Sequence, residues 1–150
     1  MALITHKTAR FEYQLSDTYT AGIVLRGPEV KSVRLGHGSL TGSFVKILSH
    51  EAFLVNAQIS PYKFASQPDY DPKRTRKLLL TKHELDHLIG IVERRQVTLV
   101  PLTLGAKGRN IKLTFAVGLG KKTHEKRSDV KKRDERRQLE RLVKTRLKGF

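Results

Sequence analysis

Residues 129–138 contain a single aliphatic side chain, Val130, and the last thirty residues of the chain are dominated by charge. From Lys121 to Phe150 there are thirteen Lys or Arg against five Asp or Glu, a net of +8. Residues 1–120 carry seventeen against nine, also +8, over four times the length. A segment so poor in apolar groups cannot bury enough surface to offset its ordering entropy, so it cannot belong to a conventional core. The chain therefore divides into a body, 1–120, and a basic tail, 121–150. Leu139, Leu142, Val143 and Leu147 give the tail a weak stripe at helical spacing, and Ser128 is placed to cap it. Such a segment is expected to become helical on a surface that neutralises it, and the body with its basic tail has the electrostatic outline of a nucleic-acid binder, whose Lys and Arg displace counterions from phosphates.

The net charge of +16 also suits an anionic membrane, so charge alone does not choose the partner. No apolar run approaches the roughly 18 residues of a membrane helix, and the start, Met1 to Lys7, lacks the apolar stretch of a secretory signal, so the expected location is the cytoplasm and no membrane partner is expected. With no cysteine, the chain has no disulfide, thiol nucleophile or cysteine-ligated metal.

In the body, Phe11 to Leu15 alternates like a half-buried strand, and Ala21 to Leu25 reads as a second strand or its continuation. Gly27-Pro28-Glu29 opens a short helix that Gly36 ends, with Val30 and Val33 facing inward. Phe44 to Leu48 and Ala52 to Asn56 flank Ser49-His50-Glu51 as a hairpin would. Ser60 to Lys77, with three prolines, reads as a long surface loop, and loops of that length are often functional. Thr81 and Glu84 form a capping box ahead of Leu85, Leu88, Ile89 and Val92, an amphipathic helix ending near Arg95. Val97 to Leu104 and Asn110 to Val117 make two further strands around a Gly105–Gly108 turn. Five or six short strands, two covering helices and no βαβ alternation point to a small closed β-barrel.

Three patterns carry possible chemistry. His83-Glu84-Leu85-Asp86-His87 satisfies the H-E-x-x-H pattern of zinc hydrolases. The zincins that add a glycine, as Gly90 does, also need a Met-turn, and the one methionine is Met1. Glu84 already has a capping role, and solvated histidines account for the rest. Gly118 to Thr123 glances at a phosphate loop but lacks its first glycine, Phe115 standing there, and its Ser or Thr, Lys122 standing there. Lys73-Arg74-Thr75-Arg76-Lys77 places four cations in five residues on the long loop, beside Tyr62, Phe64 and Tyr70. Phosphate binding is the favoured reading of that cluster. The aromatics are suited either to base stacking or to packing at the edge of the sheet.

Taken in order, Ala21-Gly22-Ile23, Gly27 to Arg34, Ile59-Ser60-Pro61-Tyr62, Asp71 to Leu80 and Gly120-Lys121-Lys122 resemble the small protein B family, the SsrA-binding proteins of bacterial ribosome rescue. Each motif is weak alone, but their order and spacing over His6 to Arg133 are specific. The resemblance implies a mainly β fold: an OB-like six-stranded antiparallel barrel with peripheral helices and a conditionally helical tail. It implies no enzymatic activity and no cofactor or metal. The implied partners are the tRNA-like domain of transfer-messenger RNA, the ribosome, and elongation factor Tu in the delivery complex.

By position, the resemblance implies that Leu79, Thr81 and Lys112 lie at the RNA-binding face, with Glu29, Lys31 and Asn56 nearby and Arg74, Arg76 and Lys77 holding phosphates. His124 would stack on a decoding-centre base. Lys121 and Lys122 begin the tail, and Lys126, Arg127, Lys131, Lys132 and Arg133 would grip rRNA in the mRNA channel. A helix over 128–147 would span about 30 Å. The chain departs from the family pattern at Thr20, where an acid is usual, at Ser39, Gly42 and Gly105, and at Glu125, which lengthens an aspartate. The alternatives are a general structured-RNA or ribosome-associated protein and, remotely, the zinc hydrolase.

Overall fold

The computed structural model describes residues 3–120, 131, 133–139 and 141. In chain order the body contains β1 (Leu3–Thr5), α1 (Ala9–Glu12), β2 (Tyr13–Ile23), α2 (Gly27–Arg34), β3 (Gly38–Ser39), β4 (Phe44–Leu48), β5 (Glu51–Val55), β6 (Gln58–Ile59), β7 (Arg76–Leu79), α3 (Lys82–Arg94), β8 (Thr98–Lys107) and β9 (Asn110–Gly120). Seven strands form one antiparallel sheet in the order β1-β8-β4-β5-β7-β2-β9, and β3 pairs with β6 apart from it. The fold is thus mainly β, one large antiparallel sheet with a few helices. Because β9 pairs with both β2 and β8, the sheet curls back on itself. The ladders are uneven: β8 and β9 match along most of their lengths, whereas β4 meets β8 through Val45 and Leu99 alone.

Period-two alternation builds the core. Ile111, Leu113, Phe115 and Val117 of β9 all point inward, and Tyr19 of β2 stacks on Phe115 with centroids 5.6 Å apart. Leu54, Leu78, Leu99 and Leu104 meet them from neighbouring strands. Each such burial contributes about 1.5–3 kcal/mol. The β4–β5 hairpin closes through Ser49 and His50, both at positive φ (49° and 61°), which matches the twist of the flanking strands. Helix α2 ends as expected at Gly36: its N–H donates to Val33 O at 2.9 Å and that of His37 to Ser32 O at 3.0 Å, with Gly36 at φ 76°. Val33 is buried and Val30 packs partly beneath it.

Four expectations need correction. Phe11 and Glu12 are not strand. Thr8 O accepts from both their N–H groups to close one helical turn, α1, and the strand starts at Tyr13. The long loop stops short of Lys77: Arg76 and Lys77 already belong to β7, paired with both β2 and β5. The expected Gly105–Gly108 turn is strand through Lys107, and β1, outside the expected elements, pairs there with β8, Ile4 opposite Leu104. In α3, Leu85, Leu88 and Ile91 face the core while Val92 is exposed, so the buried stripe is rotated from the one that includes Val92. Among the described residues of the tail, 131, 133–139 and 141 are helical, and Ser128 lies outside them. No helix among the described residues is long and apolar enough to cross a membrane.

Candidate nucleic-acid interface

Gly22 sits between two candidate residues in the sheet, paired with Leu79 of β7 on one side and Lys112 of β9 on the other. Register partners in an antiparallel sheet point the same way, so Lys77 and Leu79, Thr20 and Gly22, and Lys112 and Thr114 line the face opposite the core. Their alternates Leu78, Ala21 and Leu113 are buried. Leu79 is 55% exposed, an apolar side chain left on an outer wall. Gly22 makes room for it: a Cβ at Gly22 would come within 3.3 Å of Leu79 Cβ. Lys77 is exposed and meets Glu51 at 3.2 Å, a solvated pair of little net worth whose lysine is free to exchange partners.

Just beyond β7, Thr81 caps α3. Its Oγ1 accepts from the Glu84 N–H at 3.2 Å while its hydroxyl donates to Glu84 Oε1 at 3.0 Å. The face therefore joins an apolar contact, two lysines and a helix N-terminus, groups that suit a sugar–phosphate backbone with base edges beside it.

Glu29 and Arg76 do not lie on that face. Both side chains are wholly buried, and the guanidinium of Arg76 uses all five of its N–H groups internally. Nε donates to Glu29 Oε2 (2.7 Å), Nη1 to Ala57 O (2.9 Å) and Arg74 O (3.0 Å), and Nη2 to Pro72 O (3.0 Å) and the Tyr70 hydroxyl (3.1 Å). The expectation that Arg76 holds phosphate is corrected: β7 turns alternate residues inward, and this one falls on the buried phase. Glu29 also accepts from the Arg26 N–H at 2.9 Å and from Arg74, whose side chain is only 25% exposed. Burial pushes the Glu29 carboxyl up, but hydrogen bonds from Arg74, Arg26 and Arg76, with the charge of Arg76, outweigh it and hold it below the usual carboxylate range. Tyr70, a candidate base-stacker by sequence, instead donates to Ile59 O at 2.9 Å; burial and the Glu29 charge raise its phenol. This cluster ties the loop to α2 and β7, so its members act on any ligand through position.

Asn56 is exposed but structural. At φ 65° it turns the chain after β5, and its Nδ2 donates to Gly42 O at 3.2 Å. Lys31 is exposed on α2 with Nζ 5.3 Å from the Tyr62 ring centroid. In the tail, Lys131 and Arg133 are exposed helical residues, and the Arg133 guanidinium lies 5.9 Å from the Phe11 ring centroid. Lys121, Lys122, His124, Lys126, Arg127 and Lys132 lie outside the described residues. His83 and His87 are both exposed, with His87 beside Tyr19 at 6.3 Å between centroids, and no cluster of three metal-ligating side chains occurs among the described residues.

Gly22 and the buried role of Tyr70 were not among the site residues drawn from sequence. Gly22 stood in a recognised motif, but only its register between Leu79 and Lys112 gives it a role. The Tyr70 hydroxyl had no pattern to announce its partners.

Residues 3–145 match the family model described as SmpB protein, which takes in nearly the whole body and tail. The SsrA-binding protein of Bacillus velezensis is 43% identical over 99% of this chain and 95% of its own length. That of Thermosynechococcus vestitus is 44% identical over 96% and 95%. A solved structure described as "tmRNA-SmpB: a journey to the center of the bacterial ribosome" is 43% identical, with a TM-score of 0.69 over 82% of this chain and 87% of that one. A family-model match over residues 3–145, with relatives 43–44% identical along almost the full length, makes the chain a member of the SmpB family of SsrA-binding proteins.

Proposed function

We propose that this protein binds transfer-messenger RNA and brings it to stalled ribosomes for trans-translation. The carrying observation is the extent of the match: relatives named for SsrA binding align over 99% of the chain, and the family model runs on through residue 145, so body and tail are both included. The protein acts without catalysing a reaction, in the cytoplasm where ribosomes work, and travels with elongation factor Tu.

Within this reading the curled seven-stranded sheet serves as an OB-like barrel, one strand more than the six expected, and its outer wall meets the tRNA-like domain. Leu79 lies against a sugar or base edge, Lys77 and Lys112 neutralise phosphates, Arg74 holds the loop in place through Glu29, and Thr81 presents the start of α3. The tail carries the second half of the task. Lys121, Lys122, His124, Lys126 and Arg127, followed by Lys131, Lys132 and Arg133, engage rRNA at the decoding centre and along the empty mRNA channel. A cationic segment poor in core residues is suited to fold only where rRNA supplies partners.

Competition binding tests the reading. Full-length protein is titrated against the tRNA-like domain at physiological salt with bulk tRNA in excess. Retained binding is the expected outcome, and removal of residues 121–150 should spare that binding while abolishing rescue. Equal competition by tRNA would leave a general RNA-binding protein, since affinity from charge alone does not discriminate.

A further inference from the structure

The loop between β6 and β7 carries an aromatic pair, Tyr62 half-buried and Phe64 exposed. Phe64 is 78% exposed, the most exposed large apolar side chain among the described residues. Tyr62 packs against it edge to face, centroids 5.5 Å apart at 68°, which leaves most of Phe64 in solvent. Cations flank both rings: Lys31 Nζ lies 5.3 Å from the Tyr62 centroid and Lys63 Nζ 5.7 Å from that of Phe64. The segment is held in shape. The Tyr62 N–H donates to Gln67 Oε1 at 3.1 Å, the Ala65 N–H to Tyr62 O at 3.2 Å, and downstream the Tyr70 hydroxyl to Ile59 O at 2.9 Å. An exposed ring on a floppy loop would be unremarkable, but here internal hydrogen bonds fix a ring in water and place positive charge beside it.

We propose that Tyr62, Lys63 and Phe64, with Lys31 of α2, form a stacking platform for an unpaired RNA base, separate in sequence from the Leu79 face. A nucleobase on Phe64 would cover the apolar ring, and the two ammonium groups would meet the phosphates on either side of it. Aromatic rings bordered by cations are how sequence-tolerant single-strand sites are built, because every base offers a π-face. A purely apolar protein partner would have no use for the paired lysines, and on a chain of net charge +16 the charge favours nucleic acid. The platform rests on the RNA-binding reading above and adds a site where bases, not only backbone, are engaged. It also gives the Glu29 cluster a consequence, since Arg76 and Tyr70 anchor the C-terminal half of the same loop.

The chain has no tryptophan, so Phe64→Trp places a single indole reporter at the site. Binding of the tRNA-like domain of transfer-messenger RNA and of bulk tRNA is measured by anisotropy for wild type, Phe64→Ala, Phe64→Leu and Phe64→Trp, with indole emission followed in the last. Both Phe64→Ala and Phe64→Leu should weaken binding of the tRNA-like domain by about tenfold. Phe64→Trp should bind as wild type with its emission quenched on saturation. Wild-type affinity in Phe64→Leu, or unquenched emission at full RNA occupancy, would overturn the platform and leave the ring to an apolar protein partner. The two readings fail separately. Loss of affinity for both RNAs without wild-type preference for the tRNA-like domain would keep the platform and remove the specific-escort reading. Preference retained equally by all Phe64 variants would do the reverse.

Discussion

Arg76 Nε stands 2.7 Å from Glu29 Oε2, both side chains excluded from solvent, and joins two positions 47 residues apart in sequence. Desolvating two charges costs several kcal/mol per ion unless every remaining hydrogen-bonding group is met. Here that condition holds on the arginine side, where all five donors are used, and two hydrogen-bonding neighbours besides Arg76 (Arg26 and Arg74) donate to the carboxylate. The pair fixes α2, the 60–75 loop and the start of β7 relative to one another, and Leu79 follows three residues later.

Removing one partner should therefore be costly. Arg76→Met, which keeps length and apolar volume, leaves Glu29 buried with one cation and the carbonyls of Ala57 and Pro72 without donors. Urea unfolding should show a loss of about 3–5 kcal/mol. Arg76→Lys should recover little of it, because a single ammonium cannot reach partners arranged for a planar fork. A change under about 1 kcal/mol in Arg76→Met would mean that the cluster does not hold the loop.

Acid should reveal the same group. The Glu29 carboxyl is depressed in the folded state, so its contribution is fully present above the unfolded value of about 4.3 and disappears as pH falls through the lower folded value. Urea midpoints for wild type should fall between pH 5 and pH 3 more steeply than those of Glu29→Gln, which has no proton to take up there. The variant should be less stable at pH 7 and have lost less of its stability by pH 3. Parallel pH profiles would show that Glu29 titrates normally.

The sequence carried the large elements because their periods are strong. Leu85 and Leu88, Ile111 to Val117 and the Ser49-His50 turn follow patterns that one strand or helix settles locally. What it did not carry depends on distant partners. Leu78-Leu79-Leu80 looks the same whether buried, exposed or turned, and only pairing with β2 and β5 puts Leu78 inside and Leu79 outside. The basic run at 73–77 read as uniform, yet β7 alternation separates Lys77, on the surface, from Arg76, in the interior. Val92 failed for a smaller reason: α3 offers two nearly equivalent stripes, and packing chose the one through Ile91. Family motifs pointed to Leu79, Thr81 and Lys112, of which Leu79 and Lys112 flank Gly22 on one face, but did not distinguish a side chain that touches a ligand from one that holds the wall in place.

Helix capping gives a further test. Thr81→Ala removes the oxygen that accepts the Glu84 N–H, at a cost of about 1 kcal/mol by urea or thermal unfolding. Thr81→Ser should restore the stability, since the hydroxyl is what the cap requires. A stability loss in both would place the role of Thr81 in its methyl contacts.

The exposed wall makes the opposite prediction, function without stability. Leu79 is half in solvent and Lys112 lies beside it across Gly22, so Leu79→Ala and Lys112→Ala should each leave the urea midpoint within about 0.5 kcal/mol of wild type. Their effects on RNA should differ in kind. On the proposed reading Lys112 meets one phosphate, so in Lys112→Ala the slope of log affinity against log salt should become shallower by about 0.9 for a duplex contact. Leu79→Ala removes apolar area and should weaken binding at every salt concentration with the slope unchanged. Identical slopes in wild type and Lys112→Ala would take the lysine off the interface, and with it the side of the wall that β9 provides.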